Sequence, residues 1–180
     1  MGTVPVEVTA VAGTVLTAAT WNTNVRDGVN FFVNPPIFIG RQVLAQSVPN
    51  NGWTVIVLDA EDKDPDNAHS TVTNPARYIP QTPGWYALEY TLPWAANVTG
   101  RRGGRLRTNG AESQAGAGGR MLVTAASAFD TAVSGAAVLG PFNGTTDYAE
   151  MMGFQDSGGA LNTNIANDGV PRLSGRWVSS

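Results

Sequence analysis

From Ile37 to the last residue, short apolar runs alternate with Gly, Pro, Asn and Asp, and no helical period recurs. Apolar runs of strand length with turn residues between them are typical of an antiparallel sandwich or barrel. The sequence of 180 residues contains 21 glycines and 11 prolines, which supply the turns. A chain of this length can bury one ordinary core, so we expect a single all-β domain with an appendage.

The clearest predicted strand is the segment 85–92, with the sequence WYALEYTL. Tyr86, Leu88 and Tyr90 alternate along it and share one face, while the residues between them share the other. We therefore expect a half-buried strand. The segment 53–58 is instead apolar on both faces, which predicts a sheet covered on both sides or a subunit contact.

Other apolar runs predict further strands. These are residues 37–44, 104–108, 121–126, 136–139, 148–154 and 176–179. Between two of these strands, residues 109–119 alternate glycine and alanine with polar residues. This composition predicts a long, mobile loop.

The first 36 residues have a different pattern from the rest of the chain. Residues 1–16 alternate valine with small polar residues, which predicts an extended arm with too little apolar bulk to fold alone. Thr17 is a suitable N-cap for a short helix that runs to about Phe32. The sequence Asn34-Pro35-Pro36 then ends the helix, because proline disfavours helix at the residue before it.

That helix carries one narrow apolar stripe. Its members recur at helical spacing and are Trp21, Val25, Val29 and Phe32. A lone helix of this length is marginal in water, so we expect the stripe to dock on a partner. The chain is therefore divided into an attachment arm with docking helix, residues 1–36, and a knob, residues 37–180.

Charge and composition exclude several classes of function. Charged residues make up 14% of the chain, below the usual fraction of about a quarter, which is common in chains sequestered in an assembly. The net charge of -3 lacks the basic excess that nucleic-acid binding requires. No run reaches the roughly 18 apolar residues of a membrane span, and no secretory signal pattern is present. With no cysteine, disulfides and thiolate metal sites are excluded, and no cofactor is predicted.

Several short motifs in the knob occur at turns beside predicted strands. They lie in segments 74–86 (NPARYIPQTPGWY), 100–102 (GRR), 106–110 (LRTNG), 146–148 (TDY), 155–161 (QDSGGAL) and 171–174 (PRLS). Over residues 37–180 they resemble the C1q/TNF-like jelly roll found in phage fibres and decoration proteins. The resemblance implies an antiparallel jelly-roll sandwich that forms a homotrimer through aromatic and aliphatic strand faces. Tyr86, Leu88 and Tyr90 are then expected at the trimer axis or in the core beside it.

A second motif lies in residues 16–27, with the sequence LTAATWNTNVRD. Its order, Thr-x-x-x-Trp-Asn-x-x-Val-Arg-Asp, has no general folding explanation, and it resembles the N-terminal segment of virion proteins of actinobacterial phages. Trp21 and Phe32 would anchor the docking helix, with Arg26 and Asp27 on its polar side. The resemblance implies a structural protein of the virion surface, assembled in the host cytoplasm, whose partners are major capsid or tail subunits.

An acidic segment offers the one candidate metal site. Its Asp-x-Asp-x-Asp spacing is formed by Asp62, Asp64 and Asp66. This spacing can supply oxygen ligands to calcium, but a calcium loop also needs Gly at its sixth position and Glu at its twelfth. Asn67 and Thr73 occupy those positions. A solvated loop is therefore preferred, with calcium as the weaker alternative.

No catalytic motif is evident. The only histidine, His69, has no nucleophile elbow or metalloprotease pattern beside it, so it is interpreted as a polar loop residue. No carboxylate lies in a recognisable glycosidase context. We therefore interpret the chain as non-enzymatic.

Arginine and tryptophan supply two further candidate surfaces. The arginines near the Gly-rich segment are Arg101, Arg102, Arg105, Arg107 and Arg120. The preferred interpretation places Arg105 and Arg107 on the polar face of one strand, and the alternative has them meet an acidic neighbour in the virion. The tryptophans Trp53, Trp85, Trp94 and Trp177 could stack on a host surface glycan, although burial is the commoner fate of Trp in a sandwich.

The leading hypothesis is a trimeric knob that residues 1–36 fix to a phage particle. A capsid decoration or head-fibre role is preferred to a tail-fibre or minor tail receptor-binding role. The reason is that a helix of about 15 residues rises only about 22 Å, too little for a long shaft. A remote alternative is a glycan-binding or glycan-cleaving protein.

Overall fold

The computed structural model describes residues 4, 9, 11–111, 117–124, 130–166 and 169–180, without the side chain of residue 117. A short helical segment comes first and consists of α1 (Ala18–Trp21), a π-helical turn (Asn22–Arg26) and α2 (Asp27–Val33). The predicted N-terminal helix is therefore present, and it ends before the two prolines. Half of the predicted extended arm, residues 1–3, 5–8 and 10, lies outside the described residues. None of the described helices is both long and apolar enough to cross a membrane.

The described residues of the knob form β strands joined by turns. The strands are β1 (Ile37–Arg41), β2 (Ser47–Val48), β3 (Gly52–Val55), β4 (Ala60–Lys63), β5 (Arg77–Tyr78), β6 (Gly84–Trp94), β7 (Arg101–Thr108), β8 (Ala117–Thr124), β9 (Thr131–Phe142), β10 (Ala149–Gln155), β11 (Leu161–Asn162) and β12 (Arg172–Ser179).

These strands make two sheets that face each other across one core. The first sheet has the order β4-β1-β12-β6-β9, and the second has the order β3-β10-β7-β8 with β5 also paired to β10. Strands β2 and β11 form a separate small pair. Every strand pairing is antiparallel. The expected antiparallel sandwich is confirmed.

The interior face of β6 supplies the largest side chains of the core. Its buried members are Tyr86, Leu88, Tyr90, Leu92 and Trp94. They alternate with exposed or half-buried residues up to Leu92, as the sequence period predicts. Full burial of one large apolar side chain contributes about 1.5–3 kcal/mol, so this single strand face carries much of the stability of the sandwich.

Glycines in the facing sheet make room for those side chains. A Cβ on Gly104 of β7 would overlap the ring of Tyr90. A Cβ on Gly153 of β10 would lie 3.0 Å from Trp94 and 2.9 Å from Ile56. Because interiors are packed to crystal density, the two sheets can approach this closely only where one of them lacks side chains.

A close contact between β8 and β9 joins the two sheets at one edge. A Cβ on Gly118 would lie 2.5 Å from the Cβ of Ala137, and one on Gly135 would overlap the carbonyl oxygen of Gly119. The same carbonyl accepts a hydrogen bond of 2.7 Å from the hydroxyl of Tyr90. The sandwich is therefore closed on this side by glycine contacts and one tyrosine hydrogen bond.

Several predicted boundaries were wrong. Strand β3 ends at Val55, although the N–H of Ile56 still donates to the carbonyl of Met151 in β10. Ile56 and Leu58 are fully buried. Strand β9 is much longer than the predicted 136–139. Its full length could not be predicted, because its alanines, serine and glycines have no apolar period. Strand β8 begins inside the predicted loop 109–119, of which residues 112–116 lie outside the described part. The short strands β2, β4, β5 and β11 were not predicted.

Buried tyrosines make the fold sensitive to alkali. Burial raises the pKa of Tyr90 to about 12, and burial also raises the pKa values of Tyr78 and Tyr86 above their ordinary 10.0. In the unfolded chain these phenols ionise near pH 10, whereas in the folded chain they stay protonated. Their contribution to stability is therefore complete below about pH 10 and is lost as the pH rises through the folded pKa values.

We expect the free energy of unfolding, measured by urea titration, to fall steeply between about pH 10 and pH 12. Tyr90→Phe removes one of the three ionisations and should make the fall shallower, even though it also removes the hydrogen bond to Gly119. A free energy that stays constant through this range would contradict the burial of the three phenols.

Candidate interaction surfaces

The helical segment is started by its predicted cap. The Oγ1 of Thr17 accepts a hydrogen bond of 3.2 Å from the backbone N–H of Thr20. This bond satisfies one of the donors that a helix leaves unpaired at its N-terminus. Residues 11–16, just before it, are exposed.

The predicted stripe faces away from the knob. Trp21, Val25, Val29 and Phe32 are 51%, 37%, 55% and 88% exposed, respectively. Arg26 is also exposed and pairs with its neighbour Asp27, with 2.9 Å between Nε and Oδ1. Apolar side chains on one exposed helical face are typical of a surface that lacks its partner in the isolated chain.

Phe31, which is not a member of the stripe, holds the helix to the knob. Phe31 is only 7% exposed and packs edge-on against Trp177 of β12, with 4.8 Å between ring centroids. The indole Nε1 of Trp177 donates to the carbonyl of Pro83, 3.1 Å away, which fixes the ring at the margin of the core. Successive helical residues are about 100° apart, so seating Phe31 turns Phe32 outward.

The strand residues expected at the trimer axis or in the core, Tyr86, Leu88 and Tyr90, are buried within one chain. The hydroxyl of Tyr86 donates to the carbonyl of Thr82 at 2.8 Å, and its ring packs edge-on against Phe142. They present no surface to another chain. The outer face of this sheet is accessible instead, and there β9 exposes small residues and Val138.

The outer face of the second sheet carries a set of arginines that we name the arginine layer. It consists of Arg77, Arg101, Arg105, Arg107 and Arg120. Leu106 points into the core, so Arg105 and Arg107, one residue to either side, point outward, as the preferred sequence interpretation holds.

Aromatic rings lie beneath these guanidinium groups. Arg105 lies over the ring of Trp53, 4.4 Å from its centroid, and Arg120 lies 5.9 Å from the same centroid. Two further arginines of the layer also lie over rings, Arg77 over Tyr148 at 4.0 Å and Arg101 over Phe154 at 5.7 Å. Each such contact contributes about 0.5–2 kcal/mol and restricts the position of the guanidinium group.

Two carboxylates are set among the arginines. Glu150 of β10 is nearly buried and pairs with Arg107 at 2.8 Å and with Arg77 at 3.3 Å. Asp156 pairs with Arg101 at 2.7 Å. The backbone N–H of Arg101, with its guanidinium, holds the pKa of Asp156 below its usual range.

Arg102 does not belong to this surface, although it was grouped with its neighbours in the sequence. Its side chain is fully buried and donates to the backbone carbonyls of Thr99, at 2.9 Å, and Asn97, at 3.0 Å. Burial lowers its pKa below the ordinary value of an arginine. It is a structural residue that stabilises the turn before β7.

The acidic segment is used by the fold. Asp62 pairs with Arg41 at 2.8 Å, and the two carboxylate oxygens of Asp64 accept the backbone N–H groups of Ala68 and His69, each at 2.9 Å. Asp66 also has an interaction partner. Within the described residues, no three Asp, Glu, His or Cys side chains form a group that could hold a metal ion.

His69 is not an ordinary loop residue. Its ring is buried against Phe38, its Nδ1 lies 2.7 Å from an oxygen of Glu61, and its Nε2 lies 3.0 Å from the carbonyl oxygen of Pro75. Both ring nitrogens are therefore engaged by the fold. No sequence pattern indicated this role, because Glu61 lies in β4 and Pro75 in the segment before β5.

The tryptophans are placed in four different environments. Trp94 is fully buried, Trp177 is half-buried under Phe31, Trp53 is half-buried under guanidinium groups, and Trp85 is 38% exposed. A sugar ring needs an open aromatic face to stack on, which among these four leaves Trp85 as the accessible candidate for the alternative of a glycan contact.

Only part of the arginine layer could be identified from the sequence. The sequence pattern identified Arg101, Arg105, Arg107 and Arg120 but missed Arg77, which lies far from them in the chain. It also missed Glu150, Tyr148 and Phe154. The alternation of Glu150, Met152 and Phe154 along β10 was a usable signal for a second outward face.

The fold can be compared with known structures. No protein-family model and no curated protein matches the sequence. The globular domain of zebrafish complement 1qA protein aligns with 81% of this chain and 98% of its own, at TM-score 0.57 and 14% identity. Murine APRIL at pH 5.0 aligns with 79% of this chain and 99% of its own, at TM-score 0.59 and 12% identity. These likenesses confirm the predicted all-β, C1q/TNF-like jelly-roll fold.

The buried carboxylate of Glu150 should stabilise the second sheet. Glu150→Gln keeps the shape of the side chain but removes the charge that two arginines share. Arg77 is partly exposed and can be rehydrated, so we expect a loss of about 1–3 kcal/mol in the free energy of unfolding, measured by urea titration. Glu89→Gln, an exposed carboxylate on the other sheet, is the matched control and should change stability by less than about 0.5 kcal/mol. Equal effects of the two variants would contradict a structural role for Glu150.

Proposed function

We propose that this chain is a non-enzymatic structural protein of a tailed phage particle, in which a trimeric knob is attached by its N-terminal segment. The observation that carries the proposal is the helical segment itself. Its apolar stripe is exposed, while one neighbouring side chain, Phe31, holds the helix on the knob. The resemblance of residues 16–27 to virion proteins of actinobacterial phages supports the same assignment.

The proposed trimer rests on the jelly-roll resemblance and on the outer face of the first sheet. In that face, β9 exposes Ala132, Ser134, Ala136 and Val138. Small uncharged side chains of this kind permit close approach of a flat neighbouring surface. We place the proposed subunit contact there, and not at the buried Tyr86–Tyr90 face.

Within the particle, we propose a capsid decoration or head-fibre role. The helical segment from Ala18 to Val33 is too short for a shaft, since about 16 residues rise only about 24 Å. A tail-fibre or receptor-binding role is the second candidate, and the half-exposed Trp85 is the feature that favours it, because it could stack on a host surface glycan.

Two aromatic residues of the helical segment, Trp21 and Phe31, allow attachment to be tested separately from folding. Trp21→Ala removes the largest exposed side chain of the stripe and should reduce occupancy of the protein on phage particles at least about tenfold, because interface anchors of this kind contribute about 2 kcal/mol or more. The melting temperature of the free protein should stay within about 1 °C of wild type, because Trp21 contributes little to the folded chain.

Phe31→Ala is the matched variant with the opposite expectation. It removes the contact with Trp177 and should lower the melting temperature of the free protein by several degrees, in line with a loss of about 1–2 kcal/mol. Normal occupancy of Trp21→Ala on particles, as measured by quantitative immunoblotting, would contradict attachment through the stripe.

A further inference from the structure

The outer face of the second sheet has the residue composition of a protein interface. Arginine lies there beside Trp53, Phe154, Tyr148 and Met152. Arg, Trp, Tyr, Phe and Met are the residues enriched at protein–protein interfaces, whereas Lys is depleted. The only lysine of the chain, Lys63, lies in β4 of the other sheet.

The geometry of the layer favours a planar anion as its ligand group. A guanidinium group can bind a carboxylate through two parallel N–H donors, and here aromatic rings lie 4.0–4.4 Å from the guanidinium carbons of Arg77 and Arg105. The side chains of Arg101 and Arg77 are 50% and 36% exposed, and Arg120 is exposed. The carboxylates of Glu150 and Asp156 already form ion pairs with Arg107 and Arg101, respectively, so arginines of this layer bind carboxylates within the folded chain.

The charge of the layer is opposite to that of the whole protein. The chain has a net charge of -3, yet this face carries five guanidinium groups, of which those of Arg77, Arg101 and Arg120 reach solvent. Glu150 pairs with Arg77 and Arg107, Asp156 pairs with Arg101, and Arg105 and Arg107 have further interactions within the chain. A negatively charged partner would be attracted to this face and repelled elsewhere, which orients its approach.

We propose that the arginine layer is a second docking surface, and that its partner is an acidic polypeptide segment whose Asp or Glu carboxylates bind the guanidinium edges. This contact is distinct from that of the helical stripe and does not depend on it. The surface would be used by the folded knob, whatever particle or assembly carries it.

Two other partners fit the observations less well. A carboxylated polysaccharide would need open ring faces for stacking, but guanidinium groups already lie over Trp53 and Tyr148. A second copy of this chain would have to offer its acidic segment, but Asp62 and Asp64 are held by Arg41 and by backbone N–H groups.

Poly-L-glutamate serves as the acidic polypeptide probe, with binding to the full chain measured by calorimetry at low ionic strength. The double variant Arg101→Ala/Arg120→Ala should weaken binding at least about tenfold, since two charge-assisted contacts are lost. Arg176→Ala removes an exposed arginine from the first sheet and is the matched control, expected to weaken binding less than about twofold. Equal melting temperatures of the variants verify that folding is intact.

The proposal is supported only if the double variant loses binding and the control does not. It is overturned if poly-L-glutamate does not bind the wild-type chain, or if Arg176→Ala loses as much affinity as the double variant. Tighter binding of polygalacturonate than of poly-L-glutamate, lost in the same double variant, would replace the polypeptide partner with a polysaccharide. A change of oligomeric state in the double variant would identify the layer as a contact between copies of this chain.

Discussion

The packing of the interior face of β6 against glycines in the facing sheet is the constraint on which the rest of the structure depends. Large side chains from Tyr86 to Trp94 fill the space between the sheets, and Gly104 and Gly153 leave room for them. The size match lets the second sheet lie close enough for Tyr90 to hydrogen-bond Gly119 across the sandwich. Adding a side chain at either glycine would force the sheets apart, and overpacking of this kind typically costs about 1–3 kcal/mol.

The same packing explains which elements the sequence could predict. Strand β6 was predicted because its interior face is large and strictly alternating, and the helix was predicted because Thr17 and two prolines bound it. Strands β8 and β9 were not predicted over their full length, because their contacts are made by Gly118, Gly135 and other small residues without an apolar period. The arginine layer could not be predicted without the fold, since its arginines come from β5, β7 and β8, and β5 is distant in the chain from the other two.

The molecule keeps its two candidate interaction surfaces on different elements. The helical stripe is presented by a segment that touches the knob through Phe31 against Trp177 of the first sheet, whereas the arginine layer covers the second sheet. The two surfaces also differ in chemistry, one apolar and the other cationic and aromatic. Attachment through the helical stripe therefore leaves the arginine layer accessible. A subunit that contacts more than one neighbour in an assembly needs such an arrangement.

The central proposal is that this jelly roll is a structural subunit that forms a homotrimer. The most direct measurement is the mass of the full chain by light scattering at micromolar concentration. The account predicts three times the mass of one chain, and the value should fall when Val138 on the outer face of the first sheet is replaced by Asp. A wild-type mass equal to that of one chain would contradict the claim.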